Sequence, residues 1–385
     1  MKFLRRAIHT GVRARRGSRP ASRVLIVGSD GKDISNSLSE RLSYYAPGVS
    51  PVVREAPSFG DMLSLDPVIV AQQTAYERSD IRSLVLVRKL LCEHPSVFNM
   101  DAVRNPTDGW EWCALTRYLS YCRTQTLEDL PRAQAAFRRA IDAMRQENLG
   151  VSYVFGTGAS LERAGDRDWS DGYRIVCNTI VRDAGLWRHI QPHIIVAGDA
   201  IYHFGHTAFA HAFRRDLEAR LMESDALFVY PAIFDPVVRA QLAPDIHARC
   251  IPIALGSGKR IQSDLSQTFE LPGFGNVLLL LLLPLACTLS RTVGLWGFDG
   301  RAPTDKYFWS NSSQHTYGEH FNTLLEAHPA FFDHYVPKSD PNKYVRTVHG
   351  DVLETALQAA ESEGWTFRML HQSWTEALAK RLKPT

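Results

Sequence analysis

An α/β fold is predicted: a mostly parallel, doubly wound (Rossmann-like) sheet over residues 150–385, with a smaller α/β domain at 23–149 ahead of it. Three observations predict it. From Val151 almost to the carboxyl terminus, short apolar runs of strand type alternate with helical patterns, the rhythm of a parallel sheet with helices on both faces. Several runs end in Gly, Asn or Asp, as in Val151-Ser-Tyr-Val-Phe-Gly156, Arg174-Ile-Val-Cys-Asn178 and His193-Ile-Ile-Val-Ala-Gly-Asp199; a parallel sheet delivers such groups to the carboxyl ends of its strands, where ligands bind. The 385 residues are enough for two domains, and 45% hydrophobic with 22% charged residues is ordinary for a globular protein with ample core.

Residues 1–22 form a basic tail. The first 23 residues carry eight Lys or Arg and no acid, although the whole chain is only +3. Met1-Lys-Phe-Leu-Arg-Arg-Ala-Ile has the pattern of a short basic amphipathic helix that rests on anionic lipid, or of a solvated tail. No apolar run follows the charges, so a secretion signal is not expected.

Arg23-Val-Leu-Ile-Val-Gly-Ser-Asp-Gly predicts a strand and a turn, and Ile34, Leu38 and Leu42 line one face of the next helix. Strands follow at Pro67-Val-Ile-Val and Leu84-Val-Leu-Val. Trp110, Trp112, Tyr118 and Tyr121 are expected in a core rather than on a sugar platform. A helix from Leu127 to Asn148 closes this domain, with Thr126 and Asp129 as a capping box, Pro131 in the first turn and Gly150 as the stop.

In the second domain strands are predicted at Ser152–Phe155, Arg174–Cys177, His193–Ala197, Ala226–Tyr230, Arg249–Ala254, Thr292–Trp296 and Thr366–Leu370. The apolar run Val277–Leu289 is too short to span a bilayer and contains Pro284, which predicts a buried helix. Six cysteines without a Cys-x-x-Cys pair suit a reducing, cytoplasmic setting and exclude the usual structural zinc spacing.

Gly156-Thr157-Gly158-Ala-Ser160 after the first strand is a sharp turn whose missing Cβ atoms would admit a ligand to the backbone, with amides free for a phosphate; a plain tight turn fits the same pattern. Asn178, Asp199 and Asp299 end strands and would converge on the same rim, to hold ribose hydroxyls or base edges, or, for the two aspartates, to cap the helices that follow. A long polar loop beyond Asp299 carries His315, either a general base for a hydroxyl or a surface histidine. His203, His206 and His211 lack the further ligands a metal needs, so no metal site is expected and one of them is assigned to the rim after Asp199.

Gly156-Thr-Gly-Ala-Ser-Leu, Ile175-Val-Cys-Asn178, Gly294-Leu-Trp-Gly-Phe-Asp299, Tyr307 and Ser312-Ser-Gln-His315, in that order, resemble bacterial sialyltransferases of the type that builds lipooligosaccharide caps. Pro192-His-Ile-Ile-Val-Ala-Gly-Asp199 resembles the related domain of motility accessory factors and pterin diphosphokinase-like proteins. The resemblance covers about Val151 to Trp374. It implies an inverting transfer from a CMP-sugar with no metal or other cofactor, the CMP-sugar being donor substrate. By the resemblance, Gly156, Thr157, Gly158, Ser160 and Asn178 hold the nucleotide and its phosphate, Tyr307 hydrogen-bonds the departing phosphate, and His315 takes the acceptor proton. Thr157 stands where the family usually has Asn, Ala159 replaces Pro, and Arg301 occupies the place of a phosphate-side tyrosine, where a guanidinium can also stabilise a leaving phosphate.

The expected function is therefore a glycosyltransferase using a nucleotide sugar of the sialic class. Its acceptor would be a glycan or lipid-linked molecule, with no nucleic-acid partner, and the basic tail would give peripheral contact at the inner face of the membrane. Two alternatives stand beside it. One is a magnesium-dependent diphosphokinase, with Asp199 and Asp299 as metal carboxylates; the other is a non-catalytic module for polysaccharide assembly.

Overall fold

The computed structural model describes residues 23–27, 36–54, 58, 66–71, 97–124, 129–300, 312–335 and 350–383. The fold is α/β, and its two sheets are parallel throughout. The chain divides into two units, one of Met1–Glu128 with Glu326–Phe331 and one of Asp129–Leu325 with Phe332–Thr385. The basic tail and the expected strand at Leu84 lie outside the described residues. Among the described residues no helix is long and apolar enough to cross a membrane.

The smaller unit holds β1 (Arg23–Val27), α1 (Asn36–Tyr45), β2 (Ser50–Arg54), β3 (Val68–Val70), β4 (Val97–Asn99) and α2 (Asp108–Thr124), with the strands in the order β2-β1-β3-β4. Leu25, Val27, Val68 and Val70 close over one another on one face of the sheet. Strands β2 and β4 were not anticipated: each is a short run beside charged or turn residues. Trp112, Tyr118 and Tyr121 are buried, as core residues, and Trp112 stacks on Tyr45 with centroids 5.2 Å apart. Arg41 and Asp108 form a buried ion pair at 2.9 Å, and Ala330 N–H donates to Ala102 O, so that residues 326–331 return to this unit.

The larger unit opens with α3 (Leu130–Gln146), the helix expected to close the first domain. Its Phe137 and Ile141 are fully buried in the core of the second unit, so the division falls before this helix and not after it. Asp129 is itself the cap, its Oδ1 accepting from Arg132 N–H, and the chain leaves the helix through Asn148 at φ +53°, two residues short of the expected Gly150.

After α3 come β5 (Val151–Phe155), β6 (Gly172–Cys177), α4 (Ala184–Ile190), β7 (Ile194–Val196), α5 (Ala208–Met222), β8 (Leu227–Pro231), α6 (Asp235–Gln241), β9 (Cys250–Leu255), β10 (Glu270–Leu271), α7 (Leu283–Leu289), β11 (Thr292–Trp296), α8 (Phe321–Ala327), α9 (Pro329–Tyr335), α10 (Asp351–Ser362) and β12 (Thr366–Met369), with the junction of α8 and α9 at residues 326–331 belonging to the smaller unit. All seven expected strands form, and the two-residue β10 adds an edge. The strands are apolar on both faces because both are covered. On β5, Ser152 donates to Ala286 O in α7 on one side, while Tyr153 and Phe155 pack on Trp169 on the other. The leucine run is buried throughout: a π-turn at Leu278–Leu282 leads into α7, and Pro284 falls in its first turn, where a missing N–H is tolerated.

The strand order is β10-β9-β8-β7-β6-β5-β11-β12. The chain steps outward from β5 to β10, then crosses back to lay β11 on the other flank of β5. The direction of winding thus reverses between β5 and β11, and a crevice opens at the carboxyl ends of strands at such a reversal.

Candidate functional site

Two glycine turns meet at this reversal. Gly156 N–H donates to Trp296 O at 2.8 Å and Gly158 N–H to Gly297 O at 2.8 Å. A Cβ on Gly156 would stand 2.5 Å from Gly297 O, and one on Gly158 would stand 2.2 Å from Asp299 Oδ2. Gly297 takes φ +78°, which favours glycine. The space left by the missing Cβ atoms is therefore filled by the neighbouring turn and not kept open for a ligand, which corrects the expectation from sequence.

Ser160 and Asp299, both expected to face a nucleotide, are spent on each other. Asp299 accepts the Ser160 amide at 3.1 Å and the Ser160 hydroxyl at 2.8 Å, so it caps the 3-10 turn at Ala159–Asp166. His371, just beyond β12, completes the pin. Its Nε2 accepts from Gly297 N–H at 3.0 Å and lies 2.9 Å from Ser160 Oγ, and its Nδ1 lies 2.7 Å from Gln372 O. With the amides of Gly156, Gly158 and Ser160 committed internally, the turn has those of Thr157 and Ala159, on its accessible side, to offer an anion.

The next strand supplies a different kind of residue. β6 pairs with β5 in register Phe155↔Val176, and Cys177 Sγ donates to Phe155 O, which brings Asn178 alongside the Thr157 turn. Asn178 adopts φ +53°, a left-handed conformation that Asn tolerates better than most residues, and its buried Oδ1 has no hydrogen-bond partner. An orphaned buried amide oxygen costs about 1–3 kcal/mol.

His315 comes to the same edge. The 3-10 turn Ser313–His315 packs against the turn Asn178–Arg182, and Ser312 N–H donates to Thr157 O at 3.2 Å. His315 has no exposed surface, so it is not the surface histidine of the alternative reading. Ser312 Oγ lies 2.6 Å from His315 Nδ1 and donates to Glu162 Oε1 at 2.8 Å. His315 Nε2 is 3.2 Å from Asp183 Oδ2 but outside hydrogen-bonding geometry, and it too has no hydrogen-bond partner. Burial pushes this imidazole below its ordinary pKa, opposed by the carboxylates of Asp183 and Glu162.

One strand further along, Asp199 Oδ1 accepts from Ile201 N–H at 3.0 Å and caps the π-turn Ala200–Phe204. Although part of Asp199 reaches solvent, the surrounding protein strips enough water from the carboxyl to push its pKa up to about 6. His203 is buried beside the Asp199 backbone, and desolvation lowers its pKa to about 3. His206 and His211 do not share a face with it; they bond to each other, Nδ1 to Nε2, at 3.2 Å. Among the described residues no group of three or more His, Cys, Asp or Glu is placed to hold a metal ion.

Of the expected site residues, Gly156, Thr157, Gly158, Asn178 and His315 are thus gathered on one edge. Ser160 and Asp299 stand there as a structural pin, and Asp199 lies at the end of the strand beyond. Arg301 and Tyr307 lie outside the described residues. Asp183 and Glu162 were missed, and Ser312, although part of the motif ending at His315, was given no role. Asp183 has a cap signature, its Oδ1 accepting from Leu186 N–H, but no local pattern announces the distant histidine it faces. No protein-family model, no curated protein and no solved structure matches the chain.

Proposed function

We propose that the protein is an inverting glycosyltransferase that takes a sialic-type sugar from a CMP-activated donor. The observation that carries this reading is the pair of buried, unpartnered polar atoms, Asn178 Oδ1 and His315 Nε2, on two turns that pack together at the carboxyl edge beside the switch point. Buried polar groups are nearly always satisfied, so two orphans on one rim call for a ligand with complementary groups.

In this reading Asn178 Oδ1 accepts from the exocyclic amine of cytosine, and the amides of Thr157 and Ala159 donate to the phosphate. His315 Nε2 takes the proton of the acceptor hydroxyl as its oxygen bonds to the anomeric carbon. The bond from that carbon to the phosphate oxygen breaks, and the electron pair leaves with CMP, where Arg301 and Tyr307 are assigned to stabilise it. Because His315 is fully buried, the packing over Nε2 must open on the acceptor's side while Asp183 stays beside the ring. A glycan or lipid-linked acceptor, met at the membrane through the basic tail, belongs to the same proposal.

The diphosphokinase alternative draws less support, since the carboxylates it would use as magnesium ligands serve as caps for Ser160 and Ile201. The test is a thermal-shift screen with CMP, UDP, GDP and ATP, with and without Mg²⁺, followed by CMP release from CMP-sugars by wild type and His315→Ala. CMP alone should raise the midpoint by mass action, and His315→Ala should lose turnover. A shift confined to ATP with Mg²⁺, or unimpaired turnover in His315→Ala, would overturn the reading.

A further inference from the structure

His315 sits between two carboxylates, and counting hydrogens decides its form. Ser312 has one hydroxyl hydrogen. Glu162 can only accept, and the Ser312 hydroxyl donates to its Oε1 at 2.8 Å. The 2.6 Å contact between Ser312 Oγ and His315 Nδ1 then needs its hydrogen from the imidazole. A neutral ring with its proton on Nδ1 has a bare lone pair on Nε2, the atom that lies 3.2 Å from Asp183 Oδ2 without a hydrogen bond. At that distance the Asp183 carboxylate favours a proton on Nε2, against the burial that disfavours the charged ring.

We propose that Glu162 and Ser312 hold His315 as its Nδ1–H tautomer, leaving Nε2 as the base, and that Asp183 stabilises the imidazolium formed when Nε2 takes the acceptor proton. The assignment deepens the transferase reading and rests on it for the identity of the proton donor. Glu162 and Asp183 are positioning residues: each acts on the acceptor through the ring. Among the described residues three elements present charge to the imidazole, the Ala159–Asp166 turn through Glu162, the cap of α4 through Asp183, and the Asn178–Arg182 turn through Arg182. The guanidinium of Arg182 opposes the carboxylates, but it is itself held by Glu319 at 3.1 Å and by Thr316 O. The proton gained by Nε2 passes to solvent when the product leaves, which returns the ring to its starting tautomer.

The experiment is ¹⁵N and ¹H NMR titration of the histidine rings in the full chain, with His315 assigned by loss of its signals in His315→Gln. The neutral ring should show the Nδ1–H pattern. Asp183→Asn keeps an oxygen to cap Leu186 and should lower the imidazole pKa by about one pH unit, the effect of removing a charge at this range. Ser312→Ala should mix the tautomers. In CMP-sugar turnover, Asp183→Asn should move the acid limb of kcat to lower pH and cut its plateau about 10- to 100-fold with little change in KM for the donor. An Nε2–H ring in the wild type, or an unchanged imidazole pKa in Asp183→Asn, overturns the proposal. If the NMR results are as expected but the wild type turns over no CMP-sugar, the carboxylate–imidazole arrangement stands and the transferase reading falls.

Discussion

Replacing Gly158 with alanine tests how the switch point is built. The new Cβ would stand 2.2 Å from Asp299 Oδ2 and 2.7 Å from Gly297 O. Ordinary contact lies near 3.4 Å, so the Asp299 carboxylate must retreat by about 1 Å, far enough to break its bonds to the Ser160 amide and hydroxyl. Losing charge-assisted bonds costs about 1.5–3 kcal/mol, and overpacking about 1–3 kcal/mol. Partial relaxation puts the sum near 3 kcal/mol, equivalent to a fall of about 6–12 °C in Tm for a unit of this size. Differential scanning fluorimetry reads the fall, with Gly165→Ala as control because a Cβ there meets nothing within 4 Å. In an Asp299→Ala background the shortest contact is gone, so adding Gly158→Ala should cost clearly less, a non-additivity that a double-mutant cycle measures. A Gly158→Ala midpoint within about 2 °C of wild type, or strict additivity with Asp299→Ala, would refute the packing account of this turn.

Asn178→Gly keeps the left-handed backbone and removes an oxygen that bonds nothing in the protein, so stability should change by less than about 1 kcal/mol while any thermal shift from CMP disappears; a retained shift would remove Asn178 from the ligand. Neutral His203, with its pKa lowered to about 3, lends stability that is full above about pH 6.5 and lost as pH falls toward 3. Asp199 works the other way: with its pKa raised to about 6, the folded carboxyl binds its proton before the unfolded one does, and acidification from about 6 to 4 favours the fold. At about 1.4 kcal/mol per pH unit the two effects reach roughly 5 and 3 kcal/mol and partly cancel. Denaturant titrations between pH 7 and 4 should therefore show Asp199→Asn losing stability on acidification more steeply than wild type, and His203→Gln losing it less. The Cys177 and Cys250 thiols are buried and pushed up to about 12, so a thiol reagent at pH 8 should label them only as the protein unfolds; rapid labelling in native buffer would contradict their burial.

Much of the larger unit was legible in the chain. Apolar runs such as Arg174–Cys177 and His193–Ala197 are too apolar for a sheet with one wet face, and they stop at Gly, Asn or Asp; both features follow from two-sided burial and polar strand ends. The short strands β2, β4 and β10 were not legible, because two to five residues beside turns carry too little periodicity. Helix α3 was read correctly as a helix, yet its partner was not: Phe137 and Ile141 mark a buried stripe without saying which sheet it covers.

The same divide runs through the candidate site. Local chemistry in the sequence marked out Asn178, His315 and the Gly156–Ser160 turn. Only the tertiary fold decided that the β11 turn fills the space beside Gly156 and Gly158, that Ser160 and Asp299 satisfy each other, and that His315 is closed between Ser312 and Asp183. Strand and turn propensities act over a few neighbouring residues and can be read in place. The order of strands, and the pairing of groups more than a hundred residues apart, arises from how the chain crosses back over its own sheet, and short-range patterns carry no record of that crossing.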